Sequence, residues 1–117
     1  MSKTVLVVED NVLLGLDLAQ QLTDAGLEVI GPATSVAKAL KLIVEKGCDV
    51  AVLDVNLGSE IAEPVALELR ARGTPFVALS GYSSEQHPVS FHGAPTLSKP
   101  ARPKDLLAIL FKCMGDV

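Results

Sequence analysis

The sequence predicts an α/β fold, a doubly wound sheet of five parallel strands in the order 2-1-3-4-5 with helices on both faces. Three observations predict it. Short Val-, Leu- and Ala-rich runs alternate with longer segments of helical periodicity along the whole chain. Apolar residues make up 49% of the sequence but aromatic residues only 3%, the aliphatic composition that suits strands covered on both sides. No linker, repeat or low-complexity stretch interrupts the rhythm, so residues 1–117 read as a single domain, long enough to bury an ordinary core.

Each element has a local reason. Residues 4–8 form an aliphatic first strand. Helix one is expected over 12–25, with Leu14, Leu18, Leu22 and Ala25 on its inner face and Gly26 as its stop. Residues 27–30 predict a short second strand ended by Gly31-Pro32. Thr34 or Ser35 can cap helix two, whose Val36, Leu40, Ile43 and Val44 should face inward before Gly47 ends it. Residues 49–53 are nearly continuous in apolar side chains, the mark of a central third strand. Pro64 fits the first turn of helix three and Gly73 its end, and strand four follows at 74–79. Over 83–93, Pro88, Gly93 and weak periodicity predict a short or irregular fourth helix, with Val89 and Phe91 its large apolar residues. Residues 96–98 are a brief fifth strand, and Pro103 opens a last helix carrying Leu106, Leu107, Leu110 and Phe111.

Polar residues stand where the strands end. Glu9-Asp10 follows the first strand, Asp54 the third, Ser80 the fourth, and Lys99 of Ser98-Lys99-Pro100 the fifth. Ligands bind outside the carboxyl ends of such strands, at the switch point between strands one and three, so Asp10 and Asp54 should meet there. Singly, each residue has an ordinary reading: a cap or loop acid, an acidic turn favourable to the helix dipole, a turn serine, a surface lysine. Together they read as a phosphorylation site. Three converging carboxylates repel, and a divalent cation with hard oxygen ligands, Mg²⁺, relieves the conflict. Asp10 and Asp54 are expected to bind it directly, Glu9 through water, and the backbone carbonyl of Asn56 to complete the protein ligands. Asp54 can then accept a phosphoryl group as an acyl phosphate, with Mg²⁺, Lys99 and Ser80 each taking one phosphoryl oxygen. Gly81 leaves room for the incoming group, and Asn56 is placed to influence acyl phosphate hydrolysis. Proline lowers the cost of a cis peptide, and a cis Lys99-Pro100 bond would turn the lysine into the crevice.

This ordered set of residues resembles the receiver domain of two-component response regulators, over Val5 to about Met114. The resemblance implies a flavodoxin-like receiver fold, Glu9 and Asp10 as the acidic pair, Asp54 as phospho-acceptor, and Ser80 and Lys99 as switch residues. It also implies a histidine-to-aspartate phosphorelay, with a histidine kinase or histidine phosphotransfer protein docking near helix one and the loop after strand five. The chain departs from the family where an aromatic residue is usual three positions before the lysine, since Thr96 stands there. Tyr82 is the nearest aromatic substitute as a switch element, with a rim-packed tyrosine the equally weighted alternative. The run 75–82 is similar to a subgroup of stand-alone receivers with a Ser/Thr-Gly-Tyr strand ending. The expectation is a stand-alone receiver without an effector domain, cytoplasmic, a monomer or a weak phosphorylation-dependent dimer, acting on an unidentified protein target. It should not be an enzyme beyond its own phosphoryl transfer and self-dephosphorylation.

Other classes fit less well. A net charge of −4 without a Lys/Arg cluster argues against a nucleic-acid partner. No apolar run reaches membrane-span length. Cys48 and Cys113 lack metal-ligand spacing and read as buried thiols, while His87 and His92 lack a helical phosphotransfer context. A haloacid-dehalogenase-type phosphatase needs Asp-x-Asp after the first strand, and a flavin phosphate would be repelled by the acids. A phosphorylation-independent pseudo-receiver, or the receiver part of a hybrid histidine kinase, are the alternatives.

Overall fold

The computed structural model describes residues 3–81, 89–91, 93–99 and 101–115. Strands β1 (Thr4–Val8), β2 (Glu28–Ala33), β3 (Val50–Asp54), β6 (Phe76–Ser80) and β7 (Thr96–Ser98) form one parallel sheet in the order β2-β1-β3-β6-β7. A two-residue hairpin, β4 (Asn56–Leu57) with β5 (Glu60–Ile61), lies between β3 and helix α3. With that hairpin set aside, the order is the 2-1-3-4-5 that the sequence predicts. Four α-helices are described: α1 (Val12–Asp24), α2 (Val36–Lys46), α3 (Glu63–Ala71) and α4 (Pro103–Cys113).

Strand alternation divides the core into two layers. Val5 and Val7 of β1, Val50 and Val52 of β3, and Val77 and Leu79 of β6 pack with Leu22 of α1 and Leu106 and Leu110 of α4. Their neighbours Leu6, Val8, Ala51, Leu53, Phe76 and Ala78 pack on the other face, with Ile43 of α2 and Leu69 of α3. Because both faces are covered, every residue of β3 and β6 is buried. Burying one such Val or Leu side chain contributes roughly 1.5–3 kcal/mol.

The helix ends follow local chemistry. Asn11 accepts a hydrogen bond from Leu14 N at 3.1 Å, and Ser35, the cap of α2, accepts one from Lys38 N at 3.2 Å. Gly47, at φ +67°, ends α2 in a conformation that other residues rarely adopt.

Three expectations change. Strand two does not stop at Gly31-Pro32: β2 continues to Ala33, with an irregularity opposite Leu6–Val8 and a cis Gly31-Pro32 bond. Helix α1 is rotated so that Gly15, rather than Leu14, faces inward, leaving Leu14 and Ala25 exposed. A Cβ on Gly15 would meet Pro32 Cβ at 3.1 Å, so the missing side chain lets α1 approach that turn. Val44 is 69% exposed because Val36, Ala39, Leu40 and Ile43 already fill the inner stripe, and Val44 lies about 90° from its centre. The irregular region agrees with the short or irregular fourth helix expected: its described residues Val89–Phe91 form a 3₁₀ turn with Phe91 buried and Val89 exposed. Phe91 meets Phe76 edge-on, and Arg70 of α3 donates to the Ser90 carbonyl, while Ser90 Oγ donates to Glu63.

Candidate functional site

Strand register assembles the site. Val8 is paired with Leu53, Asp54 with Leu79, and Ser80 with Ser98, so the residues that follow or end these strands arrive at one rim. Lys99 N donates to Ser80 O at 3.0 Å, extending the β6–β7 pairing by one residue and holding Lys99 beside the central strands.

Glu9, Asp10 and Asp54 each offer a carboxylate oxygen within 4.8 Å of the others. Glu9 is 3% exposed and Asp54 5%, whereas Asp10 faces solvent. The Lys99 ammonium bridges the two buried acids, 2.8 Å from Asp54 Oδ2 and 3.0 Å from Glu9 Oε1. Burial works against that ammonium, but its hydrogen bonds to Asp54 and Glu9 and their charges outweigh burial and raise its pKa above the ordinary lysine value. Among the described residues, Lys99 thus pairs with two of the three acids and leaves a surplus of negative charge on hard oxygen donors. That donor set fits Mg²⁺, and Asn56, whose N–H donates to Asp54 Oδ1 at 3.3 Å, adjoins it. Ser80 is buried at the end of β6, with Gly81 exposed beyond it.

Thr96 begins β7 and is exposed, its hydroxyl donating to the Ala94 carbonyl. Tyr82, His87, His92 and Pro100 lie outside the described residues, and with them the geometry of the Lys99-Pro100 bond and the role of Tyr82. Cys48 and Cys113 are half-buried rather than buried, and burial pushes the Cys48 thiol, in the loop before β3, up to about 11. Burial also raises the pKa of Cys113.

The architecture and the acid cluster together match one family. A family model described as the response regulator receiver domain matches residues 5–111. The chain belongs to the response regulator receiver family. A receiver domain protein from Methanospirillum hungatei, described as CheY-like, superposes with a TM-score of 0.89 at 24% identity, over 99% of this chain and 96% of that one, a likeness of fold. A response regulator from Burkholderia pseudomallei, solved with a phosphorylated aspartic acid, calcium ion and citrate, gives 0.82 at 29% identity, over 93% of this chain and 66% of that one. The transcriptional regulatory protein PdtaR of Mycobacterium tuberculosis is 30% identical over 82 residues, 69% of this chain. The receiver chain spans 40% of the length of that relative.

Two features of the receiver surface escape a residue-by-residue reading. Val12, Leu13, Leu14 and Leu16 of α1 are all more than half exposed. Leu14 also lines an open groove of about 420 Å³ between α1 and α4, together with Leu18, Leu79, Leu106, Glu9 and Lys99. Three consecutive apolar residues at the start of a helix span about 200° and cannot all face inward, so this exposure had a signal in the sequence. The second feature is the β4–β5 hairpin, whose two-residue strands are too short to show periodicity.

Proposed function

We propose that this receiver accepts a phosphoryl group on Asp54 from a phosphohistidine of a histidine kinase or phosphotransfer protein. The observation that carries the reading is the Asp54 carboxylate, buried beside Glu9 and Asp10 with the Lys99 ammonium at 2.8 Å. The phosphorylated aspartic acid of the Burkholderia response regulator supports the same chemistry here. An Asp54 oxygen attacks phosphorus, an O–P bond forms, and the N–P bond of the donor breaks with its electron pair returning to the imidazole. Glu9, Asp10, Asp54 and the Asn56 carbonyl would hold Mg²⁺, with Glu9 acting through water. When bound, the ion supplies positive charge to the carboxylates and to a phosphoryl oxygen. Lys99 moves from its carboxylate partners to a second oxygen, and Ser80 donates its hydroxyl to a third.

The exposed apolar start of α1, beside a groove that Lys99 also lines, suits docking of an amphipathic donor helix. Phosphorylation draws Ser80 toward the phosphoryl group and shifts Lys99 from the carboxylates onto it, and their strands β6 and β7 carry that pull to the surface around α4. Output then passes through a protein contact or onward phosphate transfer from a cytoplasmic receiver.

The test is intact mass after incubation with a small-molecule phosphodonor and Mg²⁺. One phosphoryl group should be gained, and none by Asp54→Asn or without the metal. Absence of both this gain and beryllium fluoride binding would favour a phosphorylation-independent interaction module.

A further inference from the structure

The hairpin after β3 lies between the acid cluster and the start of α2. At its near end, Asn56 N donates to Asp54 Oδ1, and Gly58 lies so close to Asp10 that a Cβ there would come within 3.4 Å of Asp10 Oδ2. Asn56 pairs with Ile61 and Leu57 with Glu60, so backbone pairing ties the two strands together. Leu57 is buried and fixes one side of the hairpin, while Glu60 and Ile61 are exposed. At the far end, Glu60 Oε2 accepts a hydrogen bond from Val36 N at 3.2 Å. Val36 opens α2, and Ser35 serves the neighbouring Lys38 N–H. Without Glu60, the Val36 N–H is one of the free donors that every helix start presents. A carboxylate there also meets the positive end of the helix dipole.

We propose that Glu60 is a positioning residue for the acid pocket. By clamping the hairpin to the start of α2, it fixes the backbone of Asn56 and Gly58 against Asp54 and Asp10, and it transmits cation binding there to α2. The proposal rests on the acid cluster being a divalent-cation site. Linkage makes the effect reciprocal: if the clamp strengthens cation binding, the cation must tighten the clamp by the same factor.

The experiment is an Mg²⁺ titration of the full chain followed by amide NMR, with hydrogen exchange at Val36 as the second readout. Wild type, Glu60→Ala and Glu60→Gln are compared. Glu60→Ala should bind Mg²⁺ roughly fivefold more weakly, the lower end of ordinary coupling between sites. Glu60→Gln keeps an acceptor oxygen and should stay within about twofold of wild type. Mg²⁺ should slow exchange at the Val36 amide by a similar factor, roughly fivefold, in wild type and leave it unchanged in Glu60→Ala. Equal affinity in wild type and Glu60→Ala, with Val36 exchange indifferent to Mg²⁺, overturns the clamp while the cation site stands. Equal weakening of both variants also overturns it, because loss of a distant negative charge then accounts for the effect. A wild-type protein that binds no Mg²⁺ removes the cation site, and the clamp proposal with it.

Discussion

Lys99 is the counter-charge of the resting pocket, shared between Glu9 and Asp54 at hydrogen-bond distance. The same ammonium is asked to stabilise a phosphoryl group, so it has two opposed effects. It competes with an added cation for the carboxylates, and it lowers the barrier to phosphoryl arrival. Lys99→Ala should therefore bind Mg²⁺ severalfold more tightly yet accept phosphate far more slowly, by one to three orders of magnitude, about 1.4 kcal/mol per tenfold. Parallel Mg²⁺ titration and phosphorylation rates check this; weaker Mg²⁺ binding would mean that the lysine holds the pocket together rather than competing in it. A second residue pair sits away from the site. Asp49 Oδ2 accepts hydrogen bonds from Thr4 N at 2.7 Å and Thr4 Oγ1 at 3.1 Å, joining the starts of β1 and β3. The Thr4 backbone bond is the main cause of a lowered Asp49 pKa. A lowered acid stabilises the fold above its unfolded pKa, about 3.9, and loses that contribution as pH falls through the folded value. Wild type should lose more stability than Asp49→Asn between about pH 5 and pH 3. Equal losses in urea melts would show that the clasp contributes nothing.

Elements were legible to the extent that burial is two-sided. Strands β3 and β6 are fully buried, and an aliphatic run bounded by a polar residue marks both their existence and the end at which the site lies. That is why Asp54 and Ser80 could be assigned to one rim before any register was known, while Lys99, after the largely exposed β7, was placed by its order in the motif. What stayed hidden depends on backbone approach rather than side-chain pattern. Apolar periodicity places Leu14 inward, but the close contact between Gly15 and Pro32 sets the rotation of α1. Gly31-Pro32 reads as a stop because it is turn chemistry, yet β2 carries it within the strand. Gly31 has φ +98°, and a Cβ there would lie 2.7 Å from Ala33 N and 2.9 Å from Val7 O. Those atoms are backbone in the sheet and cannot swing away. Gly31→Ala should cost about 2 kcal/mol or more, from strain at positive φ together with the clash. Equilibrium urea unfolding measures it; a loss below about 0.5 kcal/mol, the size of an ordinary surface substitution, would show that β2 can relax here.

The whole molecule is a sheet with two apolar layers that share strands but not side chains. Ile43 of α2 belongs to one layer and Leu110 of α4 to the other, and both are essentially inaccessible to solvent. If the sheet is a rigid partition, damage on one face is not felt on the other. Ile43→Val should cost about 0.5–1.5 kcal/mol and Leu110→Ala about 2–5 kcal/mol. Sites without shared partners add within about 0.5 kcal/mol, so the double variant should lose the sum of the two. The outcome bears on signalling as well as stability. The acid pocket opens at the ends of strands that serve both layers, and the α1–α4 groove lies on one side while the Glu60 contact with α2 lies on the other. Additive losses would mean that a change at Asp54 reaches the two sides separately, through β6–β7 in one direction and the hairpin in the other. A coupling above about 1 kcal/mol would show that the sheet itself deforms and carries strain between its faces. Chemical denaturation of the four proteins of this cycle, at one fixed pH, decides between them.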